Sequence, residues 1–466
     1  MSTTISTIES ASLPEATRRE STFLGHPVGL YVLFFTETWE RFSYYGMRAL
    51  LVLYMTEHLI KSTQQGSVVY GFSTLHSLLE WSFGPLAIQP LASQIYGIYT
   101  SFIYLTPLFG GMLADQILGH RKTVVIGGIL MAIGHFLMAF ESLFLLALFV
   151  LILGNGCFKP NIATQVGALY PKNDPRRDQA FSIFYLGVNL GAFFSPLICG
   201  TLGQTYGWHY GFAAAGIGMM IGVVIYLLGQ DYLAPEQAPR KRNLKQDRKP
   251  LTSYEWHAIF GLIILCLLNS VFWAVYEEQG NTLQIFADKN TDWHIWGWQM
   301  PSTWFQSINP AFIFILTPLL NIFWTYQTKK KSEPSSIIKM SIGCFLLGGS
   351  FFCLMLAITG MGETDRISFL WLAGCTLIYT LGELYLSPIG LSLVTKVAPA
   401  RLVGMMMGVW FLSNSLGNYL SGYLGTFYEA MSKQGFFLLL SVLACSAGIA
   451  IFSLQGFLKK AIQQQG

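Results

Sequence analysis

Twelve stretches of this 466-residue chain are each long and apolar enough to cross a bilayer, whose hydrocarbon core takes roughly 20 residues of helix. Their expected bounds are about 28–56, 88–113, 122–140, 145–169, 179–203, 211–230, 255–287, 303–326, 337–359, 367–396, 402–427 and 434–458. In lipid every backbone polar group must be satisfied within the segment. The expected fold class is therefore an all-α membrane protein with twelve transmembrane helices and the lipid bilayer as its solvent. Composition agrees: 11% of residues are charged and 53% hydrophobic, against roughly 25% charged in soluble domains. That is too little polar surface to cover a water-exposed body of this size. A half-apolar segment near Tyr70–Phe83, in the connector between the first two spans, is expected to form an interfacial helix.

The basic residues divide sharply between the two sets of connections. One set holds 21 Lys and Arg residues, and the other holds only Lys61, Lys289, Arg366 and Lys433. Cytoplasmic loops carry the excess of Lys and Arg, so both termini are expected in the cytoplasm and the chain in a cell (inner) membrane. Residues 1–25 are polar, contain Arg18 and Arg19, lack the apolar core of a cleavable signal and read as a cytoplasmic tail. Residues 232–254 form the one long polar insert, a cytoplasmic linker between an N-terminal bundle (26–231) and a C-terminal bundle (255–460). The halves repeat weakly. Gly154, Pro160 and Pro171 return as Gly382, Pro388 and Pro399, and Gly191 and Ser195 return as Gly417 and Ser421. Two related six-helix bundles joined in this way resemble the major facilitator superfamily, whose members hold substrate at mid-membrane between repeats. The run Gly110 to Lys122, with Asp115, Gly119, His120 and Arg121, resembles the loop motif of that superfamily. The resemblance implies that the Asp caps a neighbouring helix N-terminus.

Eight charged residues fall inside the spans: the bases Arg41, Arg48 and Lys159, and the acids Glu37, Glu40, Glu277, Glu278 and Glu383. Charge at the bilayer centre costs about 3 kcal/mol or more, so such residues need an internal cavity and partners. On the first span Glu37, Arg41, Tyr44 and Arg48 share a narrow arc, with Glu40 and Tyr45 at its edges. Lys159 lies near mid-bilayer beside Gly154-Asn155-Gly156 and Pro160, and the first-span carboxylates offer it a partner. On the seventh span Trp273, Glu277, Gly280 and Gln284 share a face, and Glu278 lies about 100° away, toward a helix interface. Glu383 shares a face with Tyr379 and Ser387. An acid from one half and a base from the other suit a zwitterion, and an extended di- or tripeptide spans roughly 7–10 Å between its charged ends. Tyr104, Asn189, Asn309 and Trp410 are further cavity candidates. Gly187/Gly191 and Gly404/Gly408 have the spacing that packs membrane helices.

The run Glu37-x-x-Glu40-Arg41-Phe42-x-Tyr44-Tyr45-Gly46 resembles the signature of the proton-dependent oligopeptide transporters. Phe184 to Gly191 resembles their second signature, and the blocks around Lys159, Phe272–Gly280 and Gly382–Pro388 match too. The resemblance implies proton-coupled uptake of di- and tripeptides by alternating access, with protons as coupling ion and no other cofactor. It implies that Lys159 pairs with Glu37 and Glu40, and Arg48 with Glu277. Arg48 and Lys159 would hold the peptide carboxylate. Glu383, assisted by Asn189 and Asn309, would hold the amino terminus. Tyr44, Tyr45, Tyr104, Trp273 and Trp410 would shape side-chain pockets. Animal members carry a histidine where this chain has Gly97, so proton uptake here rests on carboxylates. The short turn Thr359–Arg366 replaces their external domain, and 232–254 is too short for the two extra helices of many bacterial members. A functional monomer is expected.

Plant relatives move nitrate and other metabolites, so a different cargo is the competing expectation. Glu383 would repel a purely anionic one. The seven cysteines all lie in apolar stretches without metal-ligand spacing. The sequence has no nucleophile–base pair or phosphate loop, so neither an enzyme nor a nucleic-acid partner is expected.

Overall fold

The protein is described by a computed structural model over residues 21–171, 173–236, 251–295, 297–362, 365–399 and 401–456. The tail before residue 21, the linker interior 237–250 and the end of the last expected segment lie outside those residues. Twelve long helices are present among the described residues: α1 (Val28–Tyr54), α2 (Ile88–Leu113), α3 (His120–Leu137), α4 (Phe144–Ala168), α5 (Arg176–Ser195), α6 (Trp208–Leu228), α7 (Ser253–Tyr276), α8 (Phe305–Lys329), α9 (Ser336–Ala357), α10 (Phe369–Val397), α11 (Val403–Gly425) and α12 (Lys433–Ser453). They fall where the apolar stretches are. A further helix, Phe72–Phe83, occupies the connector. By length and composition alone, nine stretches qualify as membrane spans among the described residues. Those without a qualifying window are α1, α3 and α11. The first carries Glu37, Glu40, Arg41 and Arg48, the second opens on His120-Arg121-Lys122, and the third holds Ser413-Asn414-Ser415 and Asn418. Each of these polar groups has a role inside the protein or at its face, which is why hydropathy alone misses the helix.

Packing repeats with a shift of six helices. Within the first half α1 lies on α5 and α6, and α3 on α4; within the second, α7 lies on α11 and α12, and α9 on α10. Across the halves α2 meets α11 and α5 meets α8, which are equivalent contacts under the same shift. The α2–α11 contact is backbone on backbone: a Cβ on Gly97 would stand 2.5 Å from the Cα of Gly422, and one on Gly422 would stand 2.7 Å from the Cα of Gly97. Gly191 packs on α1, where its Cβ would be 2.2 Å from the Thr38 carbonyl oxygen. Gly404 and Gly408 differ from expectation. A side chain on either would meet nothing within 4 Å, so this pair does not pack a helix here.

The hydrogen bonds joining the bundles cluster toward the ends of the helices where loops are poor in Lys and Arg. Gln89 Nε2 donates to the Gly425 carbonyl (2.9 Å), Ser93 Oγ to Asn281 Oδ1 (2.8 Å), and Ser101 and Ser415 meet at 2.9 Å. Gln204 Nε2 donates to Asp288 (3.2 Å), and Trp304 Nε1 to Thr201 Oγ1 (2.8 Å). At the opposite, basic face Asp115 does not cap a neighbouring helix. It is exposed, with His120 Nε2 3.4 Å away. The bracing there falls to Arg121, which donates to the carbonyls of Leu233 (3.0 Å) and Ala234 (2.7 Å) beyond α6. With the bundles joined at the other face, no helix N-terminus is brought to Asp115 among the described residues.

Candidate functional site

On α1 Arg41 takes both acids of its own helix. Its Nε lies 3.0 Å from Glu37 one turn away and also pairs with adjacent Glu40. All three are almost fully buried, so two carboxylates share one guanidinium in a water-poor interior. Glu40 accepts a long hydrogen bond from Asn155 Nδ2 of α4 at 3.4 Å. The Arg41 guanidinium carbon stands 5.6 Å from the centroid of the Tyr44 ring, and Tyr45 packs edge-on to Tyr44 at 5.1 Å.

Two turns along, Arg48 reaches across the bundle interface. It pairs with Glu277 at the end of α7, as expected, and its Nε donates to Tyr96 Oη of α2 at 2.7 Å. The meeting depends on a break in α7. The α-helix ends at Tyr276, a 3-10 turn runs Glu277–Gly280, and helix resumes over Thr282–Asn290. A side chain at Gly280 would collide with Tyr96 Oη at 2.1 Å and Arg48 Nε at 2.9 Å, so the glycine gives these groups their space. Glu278 turns the other way, into the interface of α7 with α11.

Lys159 departs from expectation. It makes no ion pair with Glu37 or Glu40; its Nζ stands 4.4 Å from the centroid of the Tyr104 ring. Arg41 is tethered beside both acids on the same helix and occupies them, which leaves the lysine to the ring face. Glu383 accepts from Tyr276 Oη at 2.6 Å and from Asn309 Nδ2 at 3.2 Å, and Asn309 also donates to Thr380 Oγ1. Both donors to this carboxylate are uncharged, and no ion pair of Glu383 is found among the described residues. Ser387 lies half-buried one turn further along α10. Trp273 packs edge-on to Tyr276 at 5.2 Å, with its indole N–H unpartnered.

One expected contact is not formed. Asn189 Nδ2 donates to the Tyr185 carbonyl of its own helix at 3.0 Å, because the i−4 oxygen satisfies it, and it is not brought to Glu383. Trp410 is buried against α10, its ring 2.2 Å from where a Gly390 Cβ would stand. Tyr96, Tyr276, Thr380 and Asn155 belong to the site but were not singled out from the sequence. Tyr96 had a usable signal, since it lies two turns before Tyr104 on the same face of α2. Among the described residues no cluster of His, Cys, Asp and Glu could hold a metal ion.

Residues 121–256 and 240–439 match the family profile described as POT family. The chain belongs to the POT family. Like the family's other members it is a transporter, not an enzyme. A peptide transporter of Yersinia enterocolitica is 34% identical over 480 residues, covering 88% of this chain and 89% of the relative. A di-/tripeptide transporter of Lactococcus lactis subsp. cremoris is 32% identical, covering 93% and 96%. The crystal structure of peptide transporter POT in complex with sulfate superposes with a TM-score of 0.83 at 31% identity, covering 95% of this chain and 97% of the other. The POT transporter described here thus shares the two-bundle major facilitator architecture along nearly its whole length.

Proposed function

We propose that this transporter imports di- and tripeptides together with protons across the cytoplasmic membrane by alternating access. The observation that carries the reading is a pair of charges from opposite bundles, Lys159 and Glu383. Neither forms an ion pair within 4 Å among the described residues: Lys159 lies on an aromatic face and Glu383 is held by two uncharged donors. Both are half-buried, and a charge drawn partly out of water without an ion pair is costly, so a zwitterion bound between them would relieve both. A carboxylate would dock at Lys159, with Arg48 beside the path, and an ammonium at Glu383 with Asn309 and Tyr276. The names of the peptide and di-/tripeptide transporters above support this cargo.

The proton belongs to the α1 cluster. With both acids ionised, Glu37, Glu40 and Arg41 carry one negative charge more than the guanidinium offsets, which a proton or an approaching Lys159 balances. Protonation frees Lys159 for the peptide carboxylate; deprotonation draws it toward the acids. Only states in which proton and peptide arrive together are then cheap, which couples the two flows through differential stability. Glu277 takes part by holding Arg48. The excess of Lys and Arg supports cytoplasmic termini. The bundles 26–231 and 255–460, with linker 232–254, then act as two rocking bodies of one monomer, and the bonds joining them close the outer face.

The test is uptake of labelled dialanine into proteoliposomes holding the purified transporter. A pH gradient, acid outside, should drive accumulation above equilibrium, and counterflow should persist without one. Counterflow without gradient-driven accumulation would overturn symport; neither would overturn the peptide cargo.

A further inference from the structure

The site uses Glu277 and leaves its neighbour unexplained. Glu278 is fully buried, and its carboxyl meets two hydroxyls: Thr282 Oγ1 at 2.6 Å and Ser421 Oγ at 3.1 Å. No cation faces it among the described residues. Its own helix presents Glu277, α2 presents Tyr96, and the guanidinium of Arg48 on α1 is committed to Glu277 and Tyr96. From α11 it meets Ser421, next to Gly422. An ionised carboxylate in such a place costs far more than a neutral carboxyl, and a neutral carboxyl can share its proton with either hydroxyl.

The location gives that proton a purpose. Glu278 sits beside the seam that closes the transporter on one face. Gly422 touches Gly97 backbone to backbone, Asn281 binds Ser93, and Gln89 binds the Gly425 carbonyl. Alternating access requires this seam to part. When α2 leaves α11, water reaches Glu278, and a hydrated glutamate is ionised at neutral pH. Closing the seam again buries it and selects the neutral form.

We propose that Glu278 is an outer-face latch proton site: its carboxylate takes one proton from the outer solution as the α2–α11 seam closes and returns it when the seam reopens. One O–H bond forms on closing and breaks on opening, and no net proton crosses by this route. The latch is separate from the α1 cluster, which lies in the first bundle on the cavity side of the Arg48–Glu277 pair. It makes outside acidity favour the closed outer face regardless of bound peptide. The inference rests on the alternating-access reading, but its test needs no transport.

Spin labels at exposed Ala87, at the start of α2, and Ala430, beyond α11, report the seam in nanodiscs. The native cysteines are replaced and pH is stepped between about 5 and 9. The unmodified seam should widen as pH rises. Glu278→Gln and Glu278→Met cannot ionise, so each should lose more than half of that pH-dependent change and hold the short distance at high pH. Either variant suffices if the other fails to fold. A seam that ignores pH in the unmodified protein, or one that widens equally in the variants, overturns the proposal. Loss of gradient-driven dialanine uptake with an intact seam response would instead count against symport alone.

Discussion

Lys159 of α4 rests on the face of Tyr104 of α2, its Nζ 4.4 Å from the ring centroid, while Arg41 holds the two carboxylates that the lysine was expected to meet. The ring is a holding place. It stabilises an ammonium by about 0.5–2 kcal/mol, less than a buried ion pair would, so the lysine can leave it for a better partner.

Tyr104→Phe should keep that holding place, because the ring and not the hydroxyl faces Lys159. Tyr104→Leu should abolish it and let Lys159 fall back on Glu37 and Glu40. Dialanine affinity, measured by calorimetry on the purified transporter, should stay near the original value for Phe. For Leu it should weaken roughly 3–10-fold, the equivalent of about 1 kcal/mol. Equal effects of the two changes would show that the ring face is irrelevant.

Glu37→Gln and Glu40→Gln each remove the surplus negative charge of the α1 cluster and leave Arg41 with one acid. Gradient-driven uptake should vanish while counterflow continues, because Lys159 is then permanently released to the peptide. Concentrative uptake persisting in both variants would remove the cluster from the coupling.

Arg48→Ala strands Glu277 without its cation and leaves Tyr96 Oη unpartnered. Breaking a buried pair in this way costs about 3–5 kcal/mol, visible as a large fall in Tm. Replacing both members by Met should restore most of that loss, since an apolar pair of similar volume is often neutral, yet dialanine binding should remain absent. Recovered binding in the double variant would mean the pair is structural.

Gly97→Ala places a Cβ 2.5 Å from the Cα of Gly422, and backbone must move to admit it. Overpacking of this kind costs about 1–3 kcal/mol. Maleimide labelling of a cysteine at Ser93 should speed up as the seam is wedged apart. Gly404→Ala, which meets nothing within 4 Å, should change neither Tm nor labelling in the same background. Faster labelling in the second variant and not the first would reverse the placement of the closed face.

The helices and the two halves were legible because lipid demands long apolar segments and the basic residues mark their connections. The α1 stripe was legible because buried charge has no bland explanation. Partner choice was less so. Periodicity turned Glu277 toward the cavity and Glu278 toward a helix interface, the family resemblance paired Glu277 with Arg48, and both contacts are present. It could not foresee that Arg41 would outcompete Lys159 for the α1 acids. That outcome depends on tether length within one helix against reach between two. The neighbours of Asn189 and Trp410 were not legible for a related reason. A lone polar or aromatic residue on a span can serve its own backbone or a neighbouring glycine, as these do at Tyr185 and Gly390. The break in α7 left only a glycine as its sign.

The touch of Gly97 on Gly422 also sets a ruler. Any side chain at position 97, a histidine included, would drive its Cβ into the backbone of α11. The closest spacing of α2 and α11 is therefore written in two hydrogen atoms, and a larger group at either position obliges the two bundles to stand further apart when this face is shut.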